Sequence, residues 1–315
     1  MRRRRSSGSS PVTGDPCVGQ ESSPGMPRAR VLLVGEVLWD LLPGGAQLGG
    51  APLNVGAHLA RLGHAARLVS AVGDDALGER ARSAIAPLGV DTALLQSTPR
   101  FPTGTATVTV SSEGETSFSI VRPAAYDAVA IGSDTFARLM EWNAGWVYHG
   151  TLFPSCSEAR SVLNGLVAAA SGAVRVYDLN LRRGFDDPRL VADLLNAADV
   201  VKLNDAELAF VHAHLGLPPT PEAFCREGAA RFRWRAACVT LGARGCALLV
   251  DGEYVEAPAM PVDVVHPVGA GDAVTAAVIH GLVSEWPVDR MARFANRLGA
   301  FVASAPGAIP GWEQS

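Results

Sequence analysis

The sequence predicts an α/β protein whose central, mainly parallel sheet is covered by helices on both faces, with a small additional β unit. Short apolar runs alternate with helical segments along most of the chain, which is the pattern of a parallel sheet. Residues 103–122 differ, because polar and apolar residues alternate there on both sides of Glu113 and Gly114. That alternation is typical of an exposed antiparallel hairpin.

The first predicted strand is Val31–Gly35, an apolar run that ends in glycine. Asn54–Leu62 is predicted as a helix because Val55 and Leu59 share a face and Gly63 follows. Further strands are predicted at Ala66–Val72, Val90–Leu95, Trp146–His149, Val174–Leu179, Val200–Leu203, Ala237–Thr240 and Ala247–Val250. Further helices are predicted at Gly78–Leu88, Ser157–Ala170, Thr220–Phe232, Ala273–Val283 and Val288–Ala303.

Composition and charge exclude two classes of protein. The chain has 315 residues, of which 48% are apolar and 18% charged, so a sizeable core is expected. No apolar run reaches the roughly 18–20 residues of a membrane span. The net charge is −4, and residues 1–30 carry +4, which leaves −8 on the remainder. A chain this acidic is a poor candidate for binding nucleic acid, since that binding needs Lys and Arg against phosphates.

The first residues and the cysteines indicate the compartment. Residues 1–29 are rich in Ser, Gly, Pro and Arg and lack an apolar period, so a disordered leader is predicted. The five cysteines are odd in number and show no CxxC spacing, which argues against a disulfide framework or a zinc site. Cys238 and Cys246 lie in strand-like apolar runs and are predicted core residues. We therefore expect a cytoplasmic protein.

The densest motif is Gly269-Ala270-Gly271-Asp272, which leads directly into a helical run. Small residues entering a helix expose backbone N–H groups, and the helix dipole adds positive potential there. A carboxylate beside such an anion hole suits a base that accepts a proton from an attacking hydroxyl. The alternative is an ordinary turn in which Asp272 caps the helix.

A second group of polar residues follows the first strand. Glu36 and Asp40 come after Gly35, and Gly50 and Asn54 lie around the start of the first helix. Side chains at the carboxyl end of a parallel strand are well placed to bind a polyhydroxyl ligand. A turn with Asn54 as the helix cap explains the second motif equally well. The chain has neither a GxxxxGK[ST] P-loop nor a protein-kinase signature.

In this order the motifs resemble the ribokinase-like, or phosphofructokinase-B, family of small-molecule kinases, from about Val31 to Pro310. GGAPLNVGAHLARLG, with AVGDDALGERARSAIAPLGVDT after it, looks like the first family signature in its fructokinase style. CVTLGARG, VGAGDAV and FANRLGAFVASAPGAIP look like the nucleotide-binding half, and VKLNDAEL contains the Asn-x-x-Glu element. The resemblance implies a three-layer sandwich with a central, mainly parallel sheet and a small β-lid.

The resemblance also implies roles for individual residues. Asp272 would be the catalytic base, and the backbone of Gly269, Ala270 and Gly271 would be the anion hole. Asn204 and Glu207 would hold Mg²⁺ through water, although a helix capping box explains the same pair. ATP would be bound by Asn204, Thr240, Gly242, Gly245 and Asn296. The sugar would be bound by Asp40, Gly50, Asn54, Arg122 and Arg182, where the two arginines are equally readable as surface salt-bridge residues.

One stretch departs from the family pattern. The family usually has Asp-Thr before the anion hole, and in many members that Asp helps to bind a monovalent cation. This chain has His266 and Pro267 there. An imidazole offers no anionic oxygen, and its protonated form repels a cation. We therefore expect no requirement for potassium.

The expected protein is an ATP-dependent kinase of a small sugar, fructose-like, with one kinase domain over residues 30–312. Lid segments are expected near residues 40–50 and 102–123, and a homodimer through the lid is expected because the Thr105–Val110 strand would otherwise have an unpaired edge. Two other substrates remain open, a keto-sugar acid and a nucleoside. The alternative from another class is a non-catalytic sugar- or nucleotide-binding protein on the same fold.

Overall fold

The computed structural model describes residues 28–42, 44–110 and 116–311. The predicted leader therefore lies almost wholly outside the described residues, as does Cys17. The strands are β1 (Arg30–Val34), β2 (Leu38–Leu42), β3 (Gly45–Gly49), β4 (Ala65–Gly73), β5 (Asp91–Thr98), β6 (Gly104–Val110), β7 (Thr116–Ile120), β8 (Trp146–His149), β9 (Val174–Asp178), β10 (Val200–Asn204), β11 (Ala236–Thr240), β12 (Cys246–Val250) and β13 (Glu253–Ala257).

The helices lie between these strands and after the last one. They are α1 (Ala51–Arg61), α2 (Ala76–Ile85), α3 (Ser133–Trp142), α4 (Ser157–Ala169), α5 (Pro188–Ala197), α6 (Asp205–Leu215), α7 (Pro221–Phe232), α8 (Ala270–Val283) and α9 (Val288–Ala303). No helix in the described part of the chain is long and apolar enough to span a membrane.

The central sheet has nine strands in the order β13-β12-β11-β10-β9-β8-β1-β4-β5. The seven strands from β11 to β5 are parallel, and β12 and β13 add an antiparallel edge. Val31, Leu33 and Val34 of β1 are fully buried, as the unbroken apolar run predicts. The predicted mainly parallel α/β fold is confirmed.

A second sheet of four strands has the order β3-β2-β6-β7. The predicted hairpin is present as the antiparallel pair β6 and β7, but β2 pairs with the other side of β6. The expected unpaired edge along Thr105–Val110 is therefore covered by β2 as far as Thr107, and the edge strands of this sheet are β3 and β7. β2 (LWDLL) and β3 (GAQLG) are short and carry no clear period of two, and β3 begins and ends with glycine, so the sequence pattern does not predict them as strands.

Two helices, α1 and α8, begin earlier than predicted, at positions next to glycine or proline. α1 begins at Ala51 rather than Asn54, because Pro52 fits a first helical turn and Gly50, with φ of 115°, takes the turn before it. α8 begins at Ala270 rather than Ala273. The earlier start places Ala270, Gly271 and Asp272 inside the first turn of that helix.

Parallel topology gathers the carboxyl ends of the strands along one edge of the sheet. His149 at the end of β8 pairs with Tyr177, and Asn204 at the end of β10 pairs with Thr240. Cys238 and Cys246 are buried in β11 and β12, which confirms their prediction as core residues. The polar residues at this edge build the site described next.

Candidate active site

Asp272 lies in the first turn of α8, and its carboxylate accepts a 2.7 Å hydrogen bond from Nδ2 of Asn54 on α1. Burial, and after it the negative charge of Asp178, raise the pKa of Asp272 to about 7, although Asn54, Lys202 and Arg182 act to lower it. A carboxyl that titrates near neutral pH is suited to accept a proton during a reaction and to release it afterwards.

The small residues before Asp272 form the entry to α8. Gly269 is the N-cap and has φ of 88°, a left-handed conformation that favours glycine. A Cβ atom on Gly269 would lie 2.5 Å from Cα and from Cβ of Ala308, so this glycine also permits a close chain contact. The N–H groups of the first turn have no acceptor within the helix. The Ala270 N–H has a long 3.4 Å contact to the carbonyl oxygen of Pro267 in the preceding loop. With the helix dipole, these N–H groups are the ones predicted to bind an anion, and we refer to this start of α8 as the anion-binding entry.

A buried ion pair lies beneath this entry. Nζ of Lys202 on β10 is 3.1 Å from Oδ1 of Asp178 on β9, and both side chains are less than a tenth exposed. Thr275 of α8 donates a 2.8 Å hydrogen bond to Oδ2 of Asp178, and its hydroxyl also lies 3.1 Å from the carbonyl oxygen of Gly271. The network ties two strands of the sheet to the first turn of the helix.

Lys202 reaches almost to the backbone of the anion-binding entry. A Cβ atom placed on Gly271 would be 2.9 Å from Nζ of Lys202. The positive charge is close enough to add to the potential of the helix N-terminus, although Asp178 neutralises part of it. Burial acts to lower the pKa of Lys202, but the negative charges of Asp178, Glu207 and Asp272 outweigh it and hold that pKa above its ordinary range.

Asn204 and Glu207 form a reciprocal capping box at the start of α6. Oδ1 of Asn204 accepts the N–H of Glu207 at 2.9 Å, and Oε2 of Glu207 accepts the N–H of Asn204 at 2.8 Å. Oε1 of Glu207 accepts the N–H of Leu181 at 2.7 Å. Both carboxylate oxygens therefore already have a backbone donor, and burial raises the pKa of Glu207.

The predicted nucleotide residues lie on three neighbouring elements. Thr240 ends β11, and Gly242 and Gly245 lie in the turn that leads into β12. Gly245 is needed for packing, because a Cβ atom there would be 2.0 Å from the carbonyl oxygen of Ala257. Nδ2 of Asn296 on α9 donates to the carbonyl oxygens of Ala257 and Pro258. Gly245 and Asn296 thus both fix the loop after β13.

The predicted sugar residues surround the first turn of α1. Asp40 lies on β2, and burial raises its pKa to about 6 while Arg182 lowers it. Gly50 faces the backbone of Glu36, since a Cβ atom there would be 2.3 Å from the Glu36 carbonyl oxygen. One carboxylate oxygen of Glu36 accepts the N–H of Ala51 at 3.3 Å.

Three buried polar atoms in this area have no hydrogen-bond partner within the described part of the chain. They are Oε2 of Glu36, Oδ1 of Asn54 and the hydroxyl oxygen of Tyr148 on β8. Burial raises the pKa of Tyr148, and the charges of Asp178, Asp272 and Glu36 add to that shift, so the Tyr148 hydroxyl shares the electrostatic environment of these carboxyl groups. Buried polar groups without partners are expected where a polar ligand binds.

The two predicted arginines differ in their surroundings. The guanidinium of Arg122 pairs with Asp127, donates to the carbonyl oxygen of Leu152 at 2.7 Å and to the hydroxyl of Ser155, and lies over the Phe185 ring. These contacts hold the guanidinium in place, and Arg122 also faces the carboxyl group of Glu36, whose pKa is raised by burial and lowered by the charges of Arg182 and Arg122. Arg182 acts electrostatically on Glu36, Asp40 and Asp272, and so lies close to these three carboxyl groups.

Sequence reasoning did not assign Asp178, Lys202 and Tyr148 to the site, and it named Glu36 only as part of the motif that follows the first strand. Lys202 carried a signal, because a lysine inside an apolar strand run must find a buried partner. Asp178 ends its strand two residues before Asn180 and is that partner. For Tyr148, a buried aromatic in a strand reads as core, and only the topology shows its hydroxyl near the carboxylates.

Comparison with known proteins places this geometry in context. Residues 45–315 match the sequence family described as pfkB family carbohydrate kinase. The chain is 31% identical to fructokinase from Klebsiella pneumoniae over 303 residues, which covers 89% of this chain and 95% of that protein. It is 28% identical to fructokinase-1 of Oryza sativa subsp. japonica, with 89% and 93% covered.

Solved structures show the same fold. Fructokinase from Xylella fastidiosa, solved with bound ATP, is 26% identical with a TM-score of 0.76, covering 89% of this chain and 94% of that one. The 2-dehydro-3-deoxygluconokinase of Thermotoga maritima is 20% identical with a TM-score of 0.78, covering 90% and 96%, and shows likeness of fold alone.

Proposed function

The chain belongs to the pfkB family of carbohydrate kinases, and from that premise we propose that it transfers the γ-phosphate of ATP to a hydroxyl of fructose or a closely related sugar, with Asp272 as the base. The observation that carries the proposal is the position of Asp272, a buried carboxyl with a pKa of about 7 in the first turn of α8. A sensor protein would have no use for such a base, which argues against a non-catalytic role.

In the proposed reaction Asp272 accepts the proton of the attacking sugar hydroxyl. Asn54 holds one carboxylate oxygen at 2.7 Å, which leaves the other oxygen to meet the hydroxyl. The sugar oxygen then attacks the γ-phosphorus, ADP leaves, and the proton stays on Asp272 until solvent removes it. Holding base and acceptor in one geometry removes most of the orientational cost of the step.

Negative charge on the transferred phosphoryl group would be met by the entry to α8. The backbone of Gly269, Ala270 and Gly271 supplies N–H groups and the positive end of the helix dipole. Lys202 adds a buried positive charge directly behind Gly271. These groups are fixed before the substrate arrives, so little reorganisation is needed during transfer.

A divalent cation, which we propose is Mg²⁺, fits the site only through water. The described residues contain no cluster of three or more His, Cys, Asp or Glu side chains able to form a protein cage. The oxygens of Glu207 already accept backbone N–H groups, so Asn204 and Glu207 would hold water molecules of the ion. When bound, the ion neutralises charge on the β- and γ-phosphates.

Thr240, Gly242, Gly245 and Asn296 are proposed to line the nucleotide, because the loops that they build follow β11 and β13 beside the entry to α8. ATP binding does not require a basic surface on the whole protein. Backbone N–H groups and a bound cation serve the phosphates locally, which reconciles an acidic chain with an anionic substrate.

The sugar side favours a neutral polyol over a sugar acid. Glu36, Asp40 and Asp272 bring three carboxyl groups to this side, where the positive charge of Arg182 acts on each of them. An ionised carboxyl group accepts hydrogen bonds from hydroxyls, and a protonated one can also donate to them. Ionised carboxyl groups repel a substrate carboxylate. The similarity to fructokinases supports fructose as the first candidate.

The second sheet is proposed to act as a lid over the sugar. Asp40 belongs to it, and excluding water would prevent ATP hydrolysis from competing with transfer.

Leu41 and Val121 on this unit are exposed. We propose that two chains pair through the sheet, and light scattering after gel filtration tests this, since a monomer at micromolar concentration would contradict it.

A coupled ATP-consumption screen tests the proposed substrate. Hexoses, keto-sugar acids and nucleosides are supplied separately with ATP and Mg²⁺, and each rate is compared with the rate without acceptor. We expect the largest kcat/KM for fructose. A sugar acid or a nucleoside with the larger value would overturn the substrate, and stimulation by no acceptor would favour the binding-protein alternative.

A further inference from the structure

Three polar side chains on one face of α1 bind to Asp272 and to the segment that follows α9. Asn54, His58 and Arg61 lie four and three residues apart, so they share a side of the helix. Asn54 donates to Asp272, Nε2 of His58 lies 3.1 Å from the carbonyl oxygen of Ala308, and Nη1 of Arg61 donates to the carbonyl oxygen of Pro310 at 2.6 Å. The helix thus joins the base to the segment after α9.

That segment lies directly against the anion-binding entry. Ala308 is buried, and Gly269 approaches it so closely that a Cβ atom on Gly269 would lie 2.9 Å from the Ala308 carbonyl oxygen. Gly269 is also the N-cap of α8. A shift of the Ala308 peptide would therefore reach the backbone groups that are proposed to meet the phosphoryl group.

The protonation of His58 follows from its partner. A carbonyl oxygen only accepts, so Nε2 of His58 must carry the proton. Nδ1 is buried with no hydrogen-bond partner within the described residues, which fits an unprotonated nitrogen. Burial and the charge of Arg61 act to lower the pKa of His58, which is about 4 despite the opposing bond to Ala308. The ring is a neutral donor at the pH where a kinase works.

We propose that His58 is a positioning residue, whose Nε2–H fixes the Ala308 carbonyl and thereby the place of Gly269 in the anion hole. The inference rests on the proposed function, because it assigns that entry to the transferred phosphoryl group. His58 touches neither substrate nor base. Its effect is transmitted through one hydrogen bond and one backbone contact.

Three variants test the proposal. His58→Leu keeps the bulk of the ring but removes the donor, whereas His58→Gln restores an N–H group at a similar reach. His64→Leu is the matched control, because His64 is also a buried, hydrogen-bonded histidine but bonds to His280 and to the N–H of Ala29, away from the site. Thermal unfolding of each variant checks that it folds.

For His58→Leu we expect kcat to fall on the order of 10–100-fold, with the KM values for sugar and ATP changed less than about threefold. His58→Gln should recover most of the loss, and His64→Leu should lose stability alone. Wild-type kcat in His58→Leu, or equal impairment of the Leu and Gln variants, would overturn the proposal.

A binding measurement separates failure of this inference from failure of the proposed function. Aluminium fluoride added with ADP mimics a transferring phosphoryl group, so it should tighten ADP binding to wild type and to His64→Leu but much less to His58→Leu. Equal tightening in His58→Leu would refute the positioning role. If aluminium fluoride failed to tighten ADP binding to wild type, the anion hole itself, and with it this inference, would be wrong.

Discussion

At Asp272 the requirements of catalysis and of stability are opposed. Its pKa is about 7 in the folded protein against an ordinary value near 4, because the carboxyl is buried beside Asp178. Asn54 faces it from α1, Asp178 and Arg182 from β9 and the loop after it, and Lys202 from β10. Folding is favoured while the carboxyl is protonated, so its contribution to stability is lost as the pH rises towards 7.

Asp272→Asn is therefore expected to stabilise the fold at alkaline pH. The difference in free energy of unfolding between variant and wild type should be small at pH 4, increase between pH 4 and 7, and stay constant above. Urea unfolding at a series of pH values measures it. A difference that does not change with pH would show that Asp272 titrates as in an unfolded chain.

Lys202 and Asp178 are expected to be strongly coupled. Lys202→Met leaves the Asp178 carboxylate buried, with Thr275 as the remaining side-chain donor among the described residues, and this should cost about 3–5 kcal/mol of stability. Adding Asp178→Asn removes the unpaired charge and should recover most of that loss. Chemical denaturation of both singles and the double gives the coupling, and simply additive losses would contradict it.

The first turn of α8 depends on the backbone conformation of Gly269, and Gly63, which follows α1, offers a matched control. Gly269 and Gly63 have φ of 88° and 87°, but a Cβ atom meets Ala308 at Gly269 and nothing within 4 Å at Gly63. Both alanine variants should lose about 1–2 kcal/mol from backbone strain.

Only Gly269→Ala should also displace the anion hole. We expect its kcat to fall on the order of 10²-fold or more, whereas Gly63→Ala should keep its kcat. Steady-state kinetics and thermal unfolding of the two variants separate strain from displacement. Equal kcat values in the pair would show that the entry to α8 tolerates the shift.

Sequence pattern was sufficient for elements with a clear period or an unbroken apolar run. β1, β8 and α9 fall within a residue of their predicted ends. β13 was missed because Glu253 and Glu256 make the edge strand look like a loop. α3 was missed because little of it is buried, with Leu139 as its one buried residue. α5 does carry an apolar face, with Leu190, Val191, Leu194 and Leu195 buried, so its sequence held a signal that was not used.

For the site, the sequence placed residues that lie in recognisable local motifs. It named Asp272, Gly269 and Asn54, which the fold brings together at the meeting of α1 and α8. It could not place Lys202 behind Gly271 or Tyr148 near the carboxylates, because those relations depend on strand order and register. Likewise, no pattern in the sequence around Arg122 predicts that it forms a buried ion pair with Asp127.

Across the whole molecule, positive and negative charges are balanced within local sites, so the net charge of the chain says little about what it binds. The response of the rate to a monovalent cation is the clearest test of this view. His266 stands before the predicted anion hole, its backbone N–H donates to the Ala303 carbonyl oxygen, and Nδ1 of its ring is buried. Because imidazole offers no anionic ligand, we expect the rate to change less than about twofold when potassium replaces sodium. A several-fold activation by potassium would contradict this expectation.

The central claim, that Asp272 is the base of a sugar kinase, is tested most directly by turnover and nucleotide binding of Asp272→Asn. The variant keeps the shape of the side chain and the anion hole but cannot take the proton. We expect kcat to fall on the order of 10²–10⁴-fold, while calorimetry shows ATP affinity within about threefold of wild type. Wild-type turnover in Asp272→Asn would contradict the mechanism.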